Sequence, residues 1–279
     1  MPRTLKSLKT PLRYPGGKSR ALANLFRFLP DLTQAKEYRE PFLGGGSVAI
    51  EVTKRYPNLP IWVNDLYKPL YIFWTALRDD GNYLYDQLIQ LKQRHPDPGS
   101  AKQLFLDAKE KVNEDDIGYK DKAVAFYIIN KCSFSGLTES SSFSPQASES
   151  NFSIRGIENL KTYSILIKNW KITNNNYNDL LTDDESIITY LDPPYEIKSN
   201  LYGKKGNMHK GFDHDGFATV CDQFDGHQLI SYNSSQLIRD RFKEWTVAEF
   251  AHTYTMRSVG CYNRVQAQRK ELVLFNYEV

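Results

Sequence analysis

The chain has 279 residues, enough for one sizeable core with an insertion, and its net charge of +3 is too mild to mark a nucleic-acid protein by itself. Its cysteines, Cys132, Cys221 and Cys261, are odd in number and have no close pairing, which points to reduced thiols in a cytoplasmic protein and away from a disulfide-stapled secreted domain. No apolar stretch approaches the roughly 18 residues of a membrane span and none follows Met1-Pro2-Arg3, so no anchor or targeting segment is expected.

In chain order, Tyr14-Pro15-Gly16-Gly17-Lys18 comes first, a Pro-Gly-Gly turn leading into an amphipathic stretch from Ser19 to Leu29. Gly17-Lys18-Ser19 invites a phosphate-loop reading, but a Walker loop needs its first glycine at position 12, where Leu12 stands. The nucleotide-triphosphatase reading fails on that spacing. Next, Tyr38 to Ser47 reads as a strand entering the loop Phe42-Leu43-Gly44-Gly45-Gly46, followed by a helix from Val48 to Tyr56. Glycines let backbone approach a ligand closely, and the helix start offers free N–H groups. This is not the dinucleotide fingerprint, which would need glycine where Ala49 stands. A second strand, Pro60 to Val63, ends in Asn64-Asp65, about 20 residues on, where doubly wound folds place an acid on ribose hydroxyls. A nucleoside-containing cofactor fits this pattern.

Residues 79–165 differ in character. Tyr83 to Arg94 and Ala101 to Asn113 read as helices, followed by the apolar run Ala123 to Ile129 and a serine-rich loop at 133–153. Beyond it, the apolar run Ile187 to Leu191 delivers Asp192-Pro193-Pro194-Tyr195 at a strand end. A carboxylate and the Pro193 carbonyl form an acceptor pair for the exocyclic amine of a flat base, whose lone pair is otherwise delocalised into the ring. The prolines remove competing donors, and Tyr195 can lie against the base. The bland alternative is a strand-ending turn. His209, Asp213, His214 and Asp215 lack a familiar metal spacing, so no metal is expected; Lys210 to His214 reads as a loop over the site. A helix from Asp213 to Phe224, a strand from Gln228 to Tyr232, a helix from Ser235 to Trp245 and strands at Val247 to Phe250 and Glu271 to Phe275 continue an alternating α/β sheet, with a hairpin or loop over 252–268.

Taken in this order, the motifs resemble those of the Dam-type, N6-adenine-specific DNA methyltransferases, which use S-adenosylmethionine. The matching residues are Pro15 to Lys18, Phe42-x-Gly44-x-Gly46, Asp65, Asn130-x-x-x-Phe134-x-Gly136-Leu137, Asp192 to Tyr195 and Glu271 to Tyr277. The chain departs at Thr138-Glu139-Ser140-Ser141-Ser142, where many relatives carry an arginine and an asparagine that touch DNA, so their target sequence does not transfer.

The resemblance implies an α/β fold: a Rossmann-like methyltransferase core at 1–78 and 166–279 with an inserted, mainly helical target-recognition domain at 79–165. S-adenosylmethionine would contact Tyr14, Gly16, Gly17, Lys18, Phe42, Gly44, Gly46, Asp65, Tyr177 and Asp192, its methyl toward Asp192. Phe134, Gly136, Thr138, Arg155, Lys204 and Lys205 are the expected DNA contacts, with Lys198, Lys210 and Lys161 nearby in sequence. The partner is double-stranded DNA at a short sequence, with the target base flipped. The chain is expected to act as a monomer or weak dimer, with room for a companion restriction enzyme. An RNA amino-methyltransferase and a cytosine-N4 DNA methyltransferase are the rival readings. A protein-glutamine methyltransferase would more typically carry asparagine in place of Asp192.

Overall fold

Short strands, several of them apolar runs rich in β-branched and aromatic residues, form the centre of the molecule. In the computed structural model, which describes residues 8–136, 141–195, 211–252 and 269–278, they are β1 (Glu37–Glu40), β2 (Ile61–Asn64), β3 (Lys171–Thr173), β4 (Ile187–Leu191), β5 (His227–Asn233), β6 (Thr246–His252) and β7 (Arg269–Phe275). They build one seven-stranded sheet in the order β3-β2-β1-β4-β5-β7-β6. The first five positions are parallel, and β7 inserts antiparallel between β5 and β6.

Side chains alternate across a strand, and both faces of this sheet are covered. Tyr38, Ile188, Tyr190, Leu229 and Val273 pack into one buried cluster. Leu191, Ile230, Tyr232, Leu272 and Leu274 pack into a second, against Phe217, Ile238 and Phe242. The second cluster is closed by α8 (His214–Cys221) and α9 (Gln236–Arg241), both shorter than the sequence pattern predicts; the region between β6 and β7, read as a hairpin or loop, lies at 253–268, outside the described residues.

The first cluster takes in α1 (Leu22–Leu25), α2 (Ser47–Arg55), α3 (Lys68–Arg94), α4 (Pro98–Lys111), α5 (Tyr119–Cys132) and α7 (Ile154–Leu166). Two expectations change here. The stretch from Ser19 to Leu29 forms only a 3-10 turn at Lys18–Arg20, the four-residue α1 and further turns, in which Phe28 N–H reaches back three residues to Leu25. The helix predicted from Tyr83 to Arg94 is the second half of the 27-residue α3, and non-helical dihedrals at Asp80 mark a kink. The expected boundary at 78/79 therefore falls inside α3, beside that kink. Phe73, Trp74 and Leu77 before it and Leu84 and Leu88 after it belong to the same buried cluster, which also holds Phe105 and Phe126. The helices of 79–165 thus share their core with one face of the sheet. The serine-rich segment contains α6 (Pro145–Ser150), capped by Ser144, and a bridge between Ser133 and Phe143.

Candidate active site

The carboxyl ends of β1, β2 and β4 meet where the chain order reverses, the crevice at which open α/β sheets bind ligands. Asn64, 1% exposed, fixes this edge: its amide donates to Pro41 O (3.1 Å) and Asn175 O (3.0 Å), and its oxygen accepts from Asn175 N–H and the Thr173 hydroxyl (2.8 Å each). Past β1, Gly44 and Gly46 adopt left-handed dihedrals, φ 49° and 66°. A Cβ on Gly46 would come within 2.7 Å of the Trp74 ring, and one on Gly44 within 2.9 Å of the Tyr14 ring. Both conformation and space therefore demand glycine here. Trp74 Nε1–H donates to Gly44 O (3.1 Å) and ties α3 to the loop.

Asp65 accepts N–H groups from Gly44 (2.9 Å) and Tyr67 (3.0 Å). A carboxylate has about four acceptor positions, so two remain for hydroxyl groups. Burial raises Asp65 to about 6, against the pull of those two N–H groups. Phe42 stacks on Tyr177 (centroids 5.4 Å apart, 25°), and Phe212 meets the Phe42 ring edge-on at 5.9 Å. With Asp65, the glycine loop and the 14–18 turn, these rings line a cavity of about 430 Å³. Asp192 to Tyr195 lie in its wall. The set of acid, aromatic rings and close backbone suits a nucleoside-bearing ligand.

The sequence alone suggests Lys18 as a ligand contact and Asp192 as an open acceptor. In the fold these two residues hold each other. Lys18 is 2% exposed, and its Nζ donates to both Asp192 oxygens at 2.6 Å. Glu271 Oε1 stands 3.4 Å from the same nitrogen. Burial opposes the lysine charge, but Asp192 and Glu271 outweigh it and raise the Lys18 pKa. Burial pushes Asp192 up, Lys18 pulls it back, and Glu271 adds to the rise. Ser231 on β5 donates to Asp192 Oδ1 (2.9 Å), and the Tyr190 hydroxyl bonds Ser231 (2.8 Å). Counting lone pairs, one acceptor position stays open on Oδ2. A further acid, Glu40, is pushed well above the usual carboxylate range by burial, and Tyr38 donates to it (2.9 Å).

Tyr195 donates its hydroxyl to Glu271, and its ring lies against Tyr232 (5.8 Å, 29°) with Lys18 Nζ 4.9 Å from its centroid. The ring is therefore a braced part of the cavity wall. Gly136, with φ 72°, also lines the cavity; a Cβ there would meet Arg13 O at 2.5 Å. Asn130 clamps the two segments, with its oxygen accepting Arg13 N–H (2.9 Å) and its amide donating to Arg13 O (2.7 Å) and Gly136 O (3.1 Å).

Phe134 is exposed beside this clamp, and Arg155 is exposed in the first turn of α7; neither lines the cavity. Thr138, Lys198, Lys204, Lys205, His209 and Lys210 lie outside the described residues. Gly211, Phe212 and Asp213 do line the cavity, and His214 is buried against the Tyr232 hydroxyl (2.8 Å). Asp213 caps α8, and no group of three metal-binding side chains occurs among the described residues. Sequence reading missed the roles of Ser231, Glu40 and Glu271 beside Asp192. Glu271 carried a signal, an acid opening an apolar strand.

Residues 14–256 match the family described as D12 class N6 adenine-specific DNA methyltransferase, a span that holds the glycine loop, Asp65 and the Asp192 tetrapeptide. The chain belongs to this family. Type II methyltransferase M.MjaIII of Methanocaldococcus jannaschii is 28% identical over 202 residues, covering 68% of this chain and 70% of that protein. The DNA N-6-adenine-methyltransferase of Escherichia phage P1 is 29% identical over 126 residues, 45% of this chain and 15% of that one. The DNA adenine methylase of Vibrio cholerae is 27% identical over 135 residues, 48% and 44% of the respective chains. The seven-stranded sheet agrees with a Rossmann-like methyltransferase fold. As a D12 methyltransferase the chain acts on DNA and needs a methyl donor. Among its described residues no helix is long and apolar enough to cross a membrane.

Proposed function

We propose that this chain transfers the methyl group of S-adenosylmethionine to N6 of an adenine flipped out of double-stranded DNA within a short recognition sequence. Asp65 accepts the ribose hydroxyls through its two open positions, the Phe42–Tyr177 group packs on the cofactor adenine, and Tyr14, Gly16, Gly17, Gly44 and Gly46 supply close backbone and ring contact. When bound, the cofactor supplies a methyl group on a sulfonium, ready for displacement. The observation that carries the reading is Asp192: a carboxylate gripped on two sides by Lys18 and Ser231, with one acceptor position left at the cavity wall.

That position and the Pro193 carbonyl take the two N–H groups of the amine and orient its lone pair. Asp192 accepts positive charge as it develops and need not remove a proton first. Because Lys18 and Ser231 fix the carboxylate beforehand, little reorganisation is left for the moment of reaction. Tyr195, braced by Tyr232 and Glu271, gives the flipped base a rigid surface. Flipping costs a few kcal/mol, and stacking and hydrogen bonds in the cavity offset it.

The helices of 79–165, with Phe134, Gly136 and Thr138, read the target, while Arg155, Lys204 and Lys205 meet phosphates. Because Thr138 to Ser142 departs from the family pattern, the target sequence of Dam-type relatives does not carry over. The buried free thiols Cys132 and Cys221 suit a cytoplasmic enzyme, and a partner restriction endonuclease accords with the Type II name of the M. jannaschii relative. Labelled S-adenosylmethionine offered in parallel with duplex DNA, RNA and protein tests the proposal. Label should enter only the duplex; incorporation into RNA or protein in its place would overturn it.

A further inference from the structure

Tyr190 stands two positions before Asp192 at the end of β4, so the two side chains project to the same face of the sheet. On the neighbouring β5 the register pairs Tyr190 with Leu229 and Leu191 with Ile230, which brings Ser231 level with Asp192. Both Tyr190 and Ser231 are buried. Among the described residues the Tyr190 hydroxyl meets one hydrogen-bond partner, Ser231 Oγ at 2.8 Å, and Ser231 Oγ in turn stands 2.9 Å from Asp192 Oδ1.

Proton counting fixes the direction of this pair of bonds. A serine has a single hydroxyl hydrogen, and an ionised carboxylate only accepts. The Ser231 hydrogen therefore goes to Asp192, and the Tyr190 hydrogen goes to Ser231. The reverse arrangement would turn a serine lone pair onto the carboxylate and leave the phenol hydrogen without an acceptor, both inside the core. Tyr190 also keeps its proton: burial first, and then the Asp192 charge, hold it well above the ordinary tyrosine value. A hydroxyl that accepts a hydrogen bond becomes a better donor, because successive bonds polarise one another.

Lys18 takes one acceptor position on each Asp192 oxygen, and Ser231 takes the second on Oδ1. We propose that Tyr190 is a positioning residue for Asp192: by committing the Ser231 hydrogen to Oδ1, its hydroxyl reserves Oδ2 for the target amine and holds the carboxylate plane still. The inference rests on the proposed role of Asp192 as acceptor of that amine. Without the phenol hydrogen, the Ser231 hydroxyl loses the partner that fixes its rotation, and the ionised carboxylate is less well stabilised.

Tyr190→Phe keeps the ring and removes the hydroxyl alone. Single-turnover methylation of duplex DNA at saturating S-adenosylmethionine should slow by about three- to tenfold, the size of one buried neutral hydrogen bond, while affinities for cofactor and duplex are retained. The acid limb of the rate–pH profile should move to higher pH, since the ionised Asp192 has lost support. Lys18, Glu271, Glu40 and Tyr38 also face Asp192 and are unaltered by the change, and saturating cofactor keeps Asp65 out of the profile. The decisive arm is a double-mutant cycle with Ser231→Ala. If Tyr190 acts through the serine, Tyr190→Phe has no further effect on rate in the Ser231→Ala background. An equal loss in both backgrounds would overturn the proposal, because the phenol would then act on the substrate or the fold directly. A normal rate with an unmoved acid limb in Tyr190→Phe overturns it as well. If Tyr190→Phe does not fold, Ser231→Ala must by itself lower the rate and shift the limb the same way, and an unshifted limb there counts against the proposal equally. Wild type that methylates no duplex would instead sink the DNA reading itself.

Discussion

Lys18 and Asp192 are 174 positions apart in the chain, yet the lysine nitrogen sits 2.6 Å from both oxygens of the carboxylate. The glycine turn at the N-terminal end and the tetrapeptide after β4 are therefore parts of one device. Lys18 braces the acid that, in the proposed reaction, receives the target amine.

Replacing Lys18 with Met leaves Asp192 and Glu271 facing each other without their shared cation. Breaking a buried pair in this way costs about 3–5 kcal/mol of stability. Loss of the positive charge raises the Asp192 pKa further, and the proposed reaction uses the ionised form. The acid limb of the rate–pH profile should move to higher pH, as steady-state rates between pH 5 and 9 would show. An unmoved limb would mean that the two residues are not coupled in function.

Asp65 carries a pKa of about 6, above the ordinary carboxylate value, because burial disfavours its charge. If ribose hydroxyls donate to the ionised form as proposed, affinity for S-adenosylhomocysteine should rise as pH climbs from 5 through 6 and level off above. Binding near pH 5.5 should release a fraction of a proton, measurable by calorimetry in buffers of different ionisation enthalpy. The apo protein has the opposite sign: the raised acid stabilises it below about pH 4, and that contribution fades as pH rises through 6. Asp65→Ala should cost on the order of 1–3 kcal/mol of cofactor affinity and abolish the pH dependence, with DNA affinity little changed.

Gly46→Ala places a methyl where φ is 66° and the Trp74 ring is 2.7 Å away. The conformation alone costs about 1–2 kcal/mol, and the clash adds to it. Melting temperature and cofactor affinity should fall together, whereas Ala at exposed Gly17, with ordinary φ, should disturb the melting temperature less.

Legibility followed distance along the chain. Strand β4 appears at the bounds its apolar run suggests, Ile187 to Leu191, and the glycine loop and Asp65 stand at the strand ends predicted for them. These are local signals of turn chemistry and burial. In the amphipathic stretch Ser19–Leu29, Leu22, Leu25 and Leu29 are buried through turns as well as a short helix, a division that periodicity alone does not show. Ser231 reaches Asp192 because β5 pairs parallel with β4, and Glu271 reaches Lys18 because β7 pairs antiparallel with β5, long-range registers that no local pattern encodes. The kinked α3 hides the expected boundary for the same reason, since its two halves share one core.

In the proposed reaction a preorganised Asp192 carboxylate serves the chemical step on adenine N6. Single-turnover methylation of duplex DNA by wild type and Asp192→Asn, with the product nucleoside identified by mass spectrometry after enzymatic digestion, tests it directly. Wild type should give N6-methyladenine, and the variant a rate lower by roughly 10²-fold or more, the size of one lost preorganised contact. N4-methylcytosine as the product, or a near-normal rate in Asp192→Asn, would contradict it.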